Sequence, residues 1–230
     1  MPGCLLLSGV FEGPHTGVEL FAACDIPDLR QYSLTMYTDG ASSGNSVTFG
    51  AGSLSSGQFA YLSRSEGFSE FFGTAPVVVA LPTGNEIGQF VLGNGNDAFE
   101  LLHNDTVVDT FGDIGADGTG EPWEFGEGWA YRSSGTGPDG ATFGLLSWTF
   151  GNGTLKDFAT NAAADNPMPI GEYSLNPPPP SAPQPSPPPP SPNPCEAPCA
   201  GQTCGIMQDT SSCAQSAVFG CVCTGCCENA

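Results

Sequence analysis

Residues 113–124, DIGADGTGEPWE, space their acids as a twelve-residue calcium loop does. Asp113 stands at its first position, Asp117 at the fifth, Gly118 at the sixth, Glu121 at the ninth and Glu124 at the twelfth. Hard oxygen donors at such intervals are what Ca2+ takes. The third position, however, is Gly115 rather than an acid, the eighth is Gly120 rather than an apolar residue, and no helical pattern flanks the loop. That argues against an EF-hand. Two alternatives are left: a loose calcium site using Asp113, Asp117, Glu121 and Glu124 with backbone carbonyls, or a solvated acidic loop, which the pattern favours. No other cofactor is expected.

Nucleophilic chemistry needs a base, and the chain has only two histidines. His103 precedes a turn and is expected at the surface; His15 sits in the turn EGPHTG. No Gly-x-Ser-x-Gly elbow, phosphate loop or HExxH is present. The 24 acids offer chance carboxylate pairs for glycoside cleavage, but no spacing singles one out. The expectation is a protein that is not an enzyme.

Composition narrows the partners. Four Lys plus Arg stand against 24 Asp plus Glu, a formal charge of −20. Such a chain repels phosphate backbones and anionic membrane surfaces, so no nucleic acid is expected. Cations suit it better. No apolar run reaches the ~20 residues that span a bilayer, so no membrane insertion is expected. Ten cysteines among 230 residues point to an oxidising compartment, hence to secretion. The opening MPGCLLLSGVFEG lacks a basic segment and has too short an apolar core for a signal peptide. A secreted form would start after its signal, or belong to a longer product.

Three regions must position these residues. Residues 1–173 are Gly-rich, aromatic and acidic; 174–194 are almost wholly Pro and Ser; 195–230 are dense in cysteine. The first region reads as all-β, because its apolar runs are short and bounded by Gly, Asn, Asp and Pro. Strands are expected over 4–11, 17–22, 32–37, 46–49, 58–63, from 98 past 102, 106–111, 128–132 and 145–150. Alternation puts Tyr32, Leu34 and Met36 on one face, and likewise Val18, Leu20 and Ala22. Asn104 and Asp105 form a hairpin turn, and Asn94 to Asp97 a second turn whose side chains satisfy backbone donors. A short helix is expected over 66–73, ended by Gly73. A core this size should fold without relying on cysteines. Trp123, Trp129 and Trp148 read as packing residues, with a sugar-stacking role kept open by the Gly and Glu around two of them. Asn104 in NDT and Asn152 in NGT are glycosylation acceptors on turns.

The Pro-Ser run is expected to form a polyproline II spacer, since proline lacks the backbone donor that helix or sheet needs. In the last region Cys195, Cys199, Cys204, Cys213, Cys221, Cys223, Cys226 and Cys227 crowd 36 residues. Cross-links replace a core in so small a module, so disulfides are expected, in any of ~105 pairings. Zinc is the rival, weakened by the absence of a histidine there. Cys4 and Cys24 could pair with each other.

Three stretches resemble the lamin-tail domain: VELFAACDIPDLRQYSL, LGNGNDAFELLHNDTVVDTFGDIG and GEPWEFGEGWAYRSSGTGPDGATFGLLSWTF. They fall in family order across residues 5–173. The resemblance implies an immunoglobulin-like β-sandwich without an active site of its own, found in secreted proteins as a structural module or beside nucleases and phosphatases. SPPPPSP resembles the repeats of hydroxyproline-rich glycoproteins of algal and plant matrices, and GCVCTGCC resembles small cysteine-rich modules of secreted proteins. Three functions follow as expectations. The first is a non-catalytic structural or adhesion-type module of the cell wall or matrix, with a matrix protein or glycan as partner. The second is an accessory domain of a secreted hydrolase. The third is a carbohydrate-binding module.

Overall fold

The computed structural model describes residues 3–63, 67–73, 93–176, 198–199 and 202–203. The chain divides into two compact units, Met1–Pro177 and Pro178–Ala230. In the second, Pro198–Cys199 pairs antiparallel with Gln202–Thr203. The expected disulfides of the tail and most of the Pro-Ser run lie outside the described residues.

The first unit is an all-β sandwich of two antiparallel sheets. Its strands are β1 (Leu5–Phe11), β2 (Gly17–Ala22), β3 (Tyr32–Tyr37), β4 (Asn45–Thr48), β5 (Phe59–Ser63), β6 (Ala98–His103), β7 (Thr106–Phe111), β8 (Trp129–Arg132) and β9 (Trp148–Gly151). One sheet runs β5-β2-β1-β8-β9, the other β4-β3-β6-β7. Alternation explains the inner faces. Val18, Leu20 and Ala22 from one sheet meet Tyr32, Leu34 and Met36 from the other in a common core. At the β6–β7 tip Asn104 and Asp105 have φ of 48° and 60°, the left-handed pair that a two-residue hairpin turn requires. The expected strand over 145–150 begins only at Trp148, because Leu145–Ser147 coil into a single 3-10 turn after Gly144.

A second apolar layer, not foreseen from alternation, covers the outer face of the five-stranded sheet. A bulge between Leu7 and Gly9 shifts the register of β1. Leu5, Leu7 and Val10 therefore face the inner core while Leu6 and Phe11 face outward. The outward Phe21, Tyr61, Trp129 and Tyr131 join them. Over this face lie the helix α1 (Phe68–Phe72) and the segment that follows β9, through Leu155, Ala164, Met168 and Tyr173. α1 forms where a helix was expected, with Phe68, Phe71 and Phe72 buried and Gly73 closing it at φ 69°. Tyr173 is buried, and the Ser174 carbonyl accepts from the Gly135 N–H while the Ser174 N–H donates to the Ser134 hydroxyl. The sandwich thus continues past 173, into what the sequence assigned to the spacer.

No helix among the described residues is long and apolar enough to cross a membrane.

Candidate functional site

Among the described residues, two buried constellations each gather a charged strand residue with its polar partners. The first joins the two sheets. Arg132, at the end of β8, and Asp109, on β7, both have side chains with no exposure. Arg132 Nη2 donates to Asp109 Oδ1 and Oδ2 at 2.7 and 2.8 Å, and Nη1 donates to Asp139 at 2.7 Å. Two groups of Leu7 need partners here, since β1 pairs with β8 only from Gly9 onward. The Leu7 N–H donates to Asp109 and the Leu7 carbonyl accepts from Arg132 Nε. The ion pair therefore stands in for missing ladder bonds. The Trp148 ring lies 4.5 Å from the guanidinium carbon. Gly137 has φ +77°, and a side chain there would collide with the guanidinium. Burial pushes the Asp109 carboxyl up, while Arg132 and the surrounding N–H groups pull it back.

The second lies on the outer face of the five-stranded sheet, beneath the segment after β9. Glu19, in the middle of β2, has no exposure. Its Oε1 accepts from the Ser8 hydroxyl at 2.7 Å and the Tyr131 hydroxyl at 2.8 Å, and its Oε2 from the Gly171 N–H at 2.7 Å. Tyr61 hydrogen-bonds it as well. Desolvation pushes the Glu19 carboxyl up to about 7, against the pull of these donors. Desolvation, reinforced by Glu19, raises the Tyr61 and Tyr131 hydroxyls too.

Neither constellation was singled out in the sequence. The signal was there: a charged residue inside an apolar strand, in GVELFA, TVVDTF and GWAYR, within a chain holding four basic residues.

The acidic loop is held down by Trp123 and Phe125, both 2 % exposed. Its acids turn onto nearby backbone and amide groups. Asp117 Oδ1 accepts from the Thr119 N–H and from Asn96, which together lower its carboxyl, and Glu124 accepts from the Gly120 N–H. Asp113 and Glu121 are exposed. Among the described residues no three His, Cys, Asp or Glu converge as metal ligands. The preceding turn behaves as its sequence suggested: Asp97 accepts from the Asn94 and Asp39 N–H groups. Asn96 goes further: its amide Nδ2 shares two hydrogens among Asp39, Asp117 and Thr119 oxygens.

Cys4 and Cys24 are bonded, their Cα atoms 5.1 Å apart. Two grooves of about 170 and 150 Å³ share Gln31 and Tyr32. The larger is bordered by the disulfide and His103, the smaller by Arg30, Thr48 and Asn104. His103 is half-buried rather than exposed, because its ring packs 4.7 Å from that of Tyr32; it also bonds Gln31. His15 packs on Phe71 at 5.2 Å. Burial lowers the pKa of both rings. These amide and aromatic partners do not couple a histidine to a nucleophile.

Trp123, Trp129 and Trp148 are at most 5 % exposed and belong to the two cores, so they offer no sugar-stacking platform. Asn104 and Asn152 are exposed. No family model, curated protein or solved structure matches this chain.

Proposed function

We propose that the chain is a non-catalytic, structural or adhesion-type module of a secreted protein: a β-sandwich joined by a Pro-Ser spacer to a cysteine-rich module. One observation carries this. Among the described residues, fully buried charged groups are turned inward and bonded to their neighbours, Arg132 with Asp109 and Asp139, Glu19 with Ser8, Tyr61 and Tyr131. Groups so placed hold layers together and do not meet a substrate. The Cys4–Cys24 bond suits an oxidising compartment. The lamin-tail resemblance agrees, since that family supplies sandwich modules without an active site. A surface of turns and acids is suited to a matrix protein or glycan with basic or hydroxyl-rich chemistry.

The test is to apply the purified chain to extracellular-matrix protein and glycan fractions, beside assays with DNA and a phosphomonoester. Saturable retention without turnover is expected. Turnover by the chain itself would overturn the proposal.

A further inference from the structure

We propose that the segment 155–176 is a detachable strap on the outer face of the five-stranded sheet, latched by a proton on Glu19 and loosened when that carboxyl ionises.

The strap is almost without regular structure; Asn161–Ala163 form its one short 3-10 turn. It lies on a sheet face that is itself aromatic: Phe21, Tyr61, Trp129 and Tyr131. Three consecutive strap N–H groups end on one hydrogen-bonded unit. Gly171 donates to Glu19, while Glu172 and Tyr173 donate to the Tyr131 hydroxyl at 3.0 and 2.9 Å, and that hydroxyl donates to Glu19. Elsewhere the strap is tied by Trp129 Nε1 to the Asn166 carbonyl and by the Leu155 N–H to the Glu127 carbonyl. Gly9 leaves the room in which Met168 packs against the sheet, for a Cβ there would lie 2.6 Å from the Met168 methyl. Glu19 is thus the hub between the sheet and the strap.

What surrounds Glu19 sets the sign of its titration. β1 contributes the Ser8 hydroxyl, β5 the Tyr61 hydroxyl, β8 the Tyr131 hydroxyl and the strap the Gly171 N–H. Among the described residues the tyrosines are the titratable groups facing it, and the partners that hold it are neutral donors. On the strap, Glu172 is exposed and Tyr173 turns its hydroxyl to the Thr136 carbonyl. An ionised Glu19 is therefore a fully buried carboxylate held, among the described residues, by neutral donors alone. Protonated, it can donate to Ser8, whose hydroxyl is free to rotate. Lifting the strap returns the carboxyl to water, where it ionises near its ordinary value of 4.5; under the strap burial holds it up to about 7. The closed form binds the proton more tightly, so the proton favours closure. Between those two values opening becomes easier by about tenfold per pH unit, and above the higher one it levels off. Opening bares the aromatic face and lengthens the chain leading out of the sandwich by the strap's own span.

Hydrogen exchange read by mass spectrometry on the whole chain, corrected for intrinsic rates, tests this across pH 5–8.5. In peptides covering 164–176 the opening constant should rise steeply from pH 5 to 7 and then flatten, while β3 and β6 stay protected. Glu19→Gln should abolish the slope. Tyr131→Phe keeps the carboxyl but removes the acceptor of two strap amides; it should raise opening about tenfold at every pH and keep the slope. A flat wild-type profile, an unchanged slope in Glu19→Gln, or opening constants in β3 and β6 as large as those of the strap would each overturn the proposal. If Glu19→Gln does not fold, Tyr131→Phe decides alone: raised opening with the slope kept supports the latch, and no change in opening overturns it.

Discussion

Arg132 and Asp109 meet across the sandwich at 2.7 Å with neither side chain exposed. One belongs to β8 in the five-stranded sheet, the other to β7 in the four-stranded sheet. Each also serves a backbone group of Leu7 on β1. The pair is therefore a pin through both layers. Removing Arg132 leaves the buried Asp109 without its counter-ion, and removing Asp109 leaves Arg132 with Asp139 alone; breaking a buried pair in this way costs about 3–5 kcal/mol. Asp109→Ala and Arg132→Ala should each lower stability to urea by that order. A double-mutant cycle should show the two losses to be far from additive. Additive losses would mean that the residues do not act as a pair.

Gly137 makes room for the same guanidinium at a φ of +77°. Gly137→Ala adds a methyl group in a conformation that L residues avoid and against Arg132. A loss of about 1–3 kcal/mol is expected, well above that of an ordinary surface substitution. Chemical denaturation of Gly137→Ala beside Gly153→Ala, which has φ +64° but open space around it, separates the collision from the backbone strain.

The pH dependence of global stability follows from Glu19. Its carboxyl is raised from 4.5 to about 7 by burial. A raised value means that the folded form holds the proton more tightly than the unfolded chain. The stabilisation is full below 4.5 and is lost as pH rises through 7, at about 1.4 kcal/mol per unit. Glu12, Asp97 and Asp109 are raised too, chiefly by desolvation, and act in the same direction. The melting temperature should therefore be higher at pH 5 than at pH 8. A rise toward alkaline pH would show that the donors around Glu19 outweigh its burial.

The Cys4–Cys24 bond closes a loop with a sequence separation of 20. Chain-entropy reasoning makes it worth about 3 kcal/mol. The two cores are large without it, so a Cys4→Ala, Cys24→Ala double variant should lose that much and remain folded with native circular dichroism. Loss of the fold would mean that the sandwich depends on its cross-link.

In the acidic loop Asp117 and Glu124 already accept hydrogen bonds from nearby N–H groups. Calcium should raise the melting temperature no more than sodium at matched ionic strength. A calcium-specific rise, abolished by Asp113→Asn with Asp117→Asn, would establish the loop as a site. Expression in a eukaryotic secretory host should add a glycan at Asn104 or Asn152, both on exposed turns, as a mass shift removed by glycosidase.

Most strands, the β6–β7 hairpin, α1 and the inner core were legible in the sequence, the start of β9 being the exception. Those follow from short-range rules: period-two alternation over Val18, Leu20 and Ala22, the tolerance of Asn104 and Asp105 for positive φ, and glycine at a helix end. Only the tertiary structure decided what Glu19, Asp109 and Arg132 do. A charged residue in an apolar strand shows that a partner is required, but not which one. Leu7 and Asp109 are 102 positions apart, and Glu19 and Gly171 are 152 apart. The bulge in β1 likewise could not be read locally, since it exists through the register with β2. The second apolar layer depends on that shift, for it turns Phe11 outward to meet α1 and the strap. Local propensity acts within a few residues, whereas burial and pairing act between segments that the fold alone brings together.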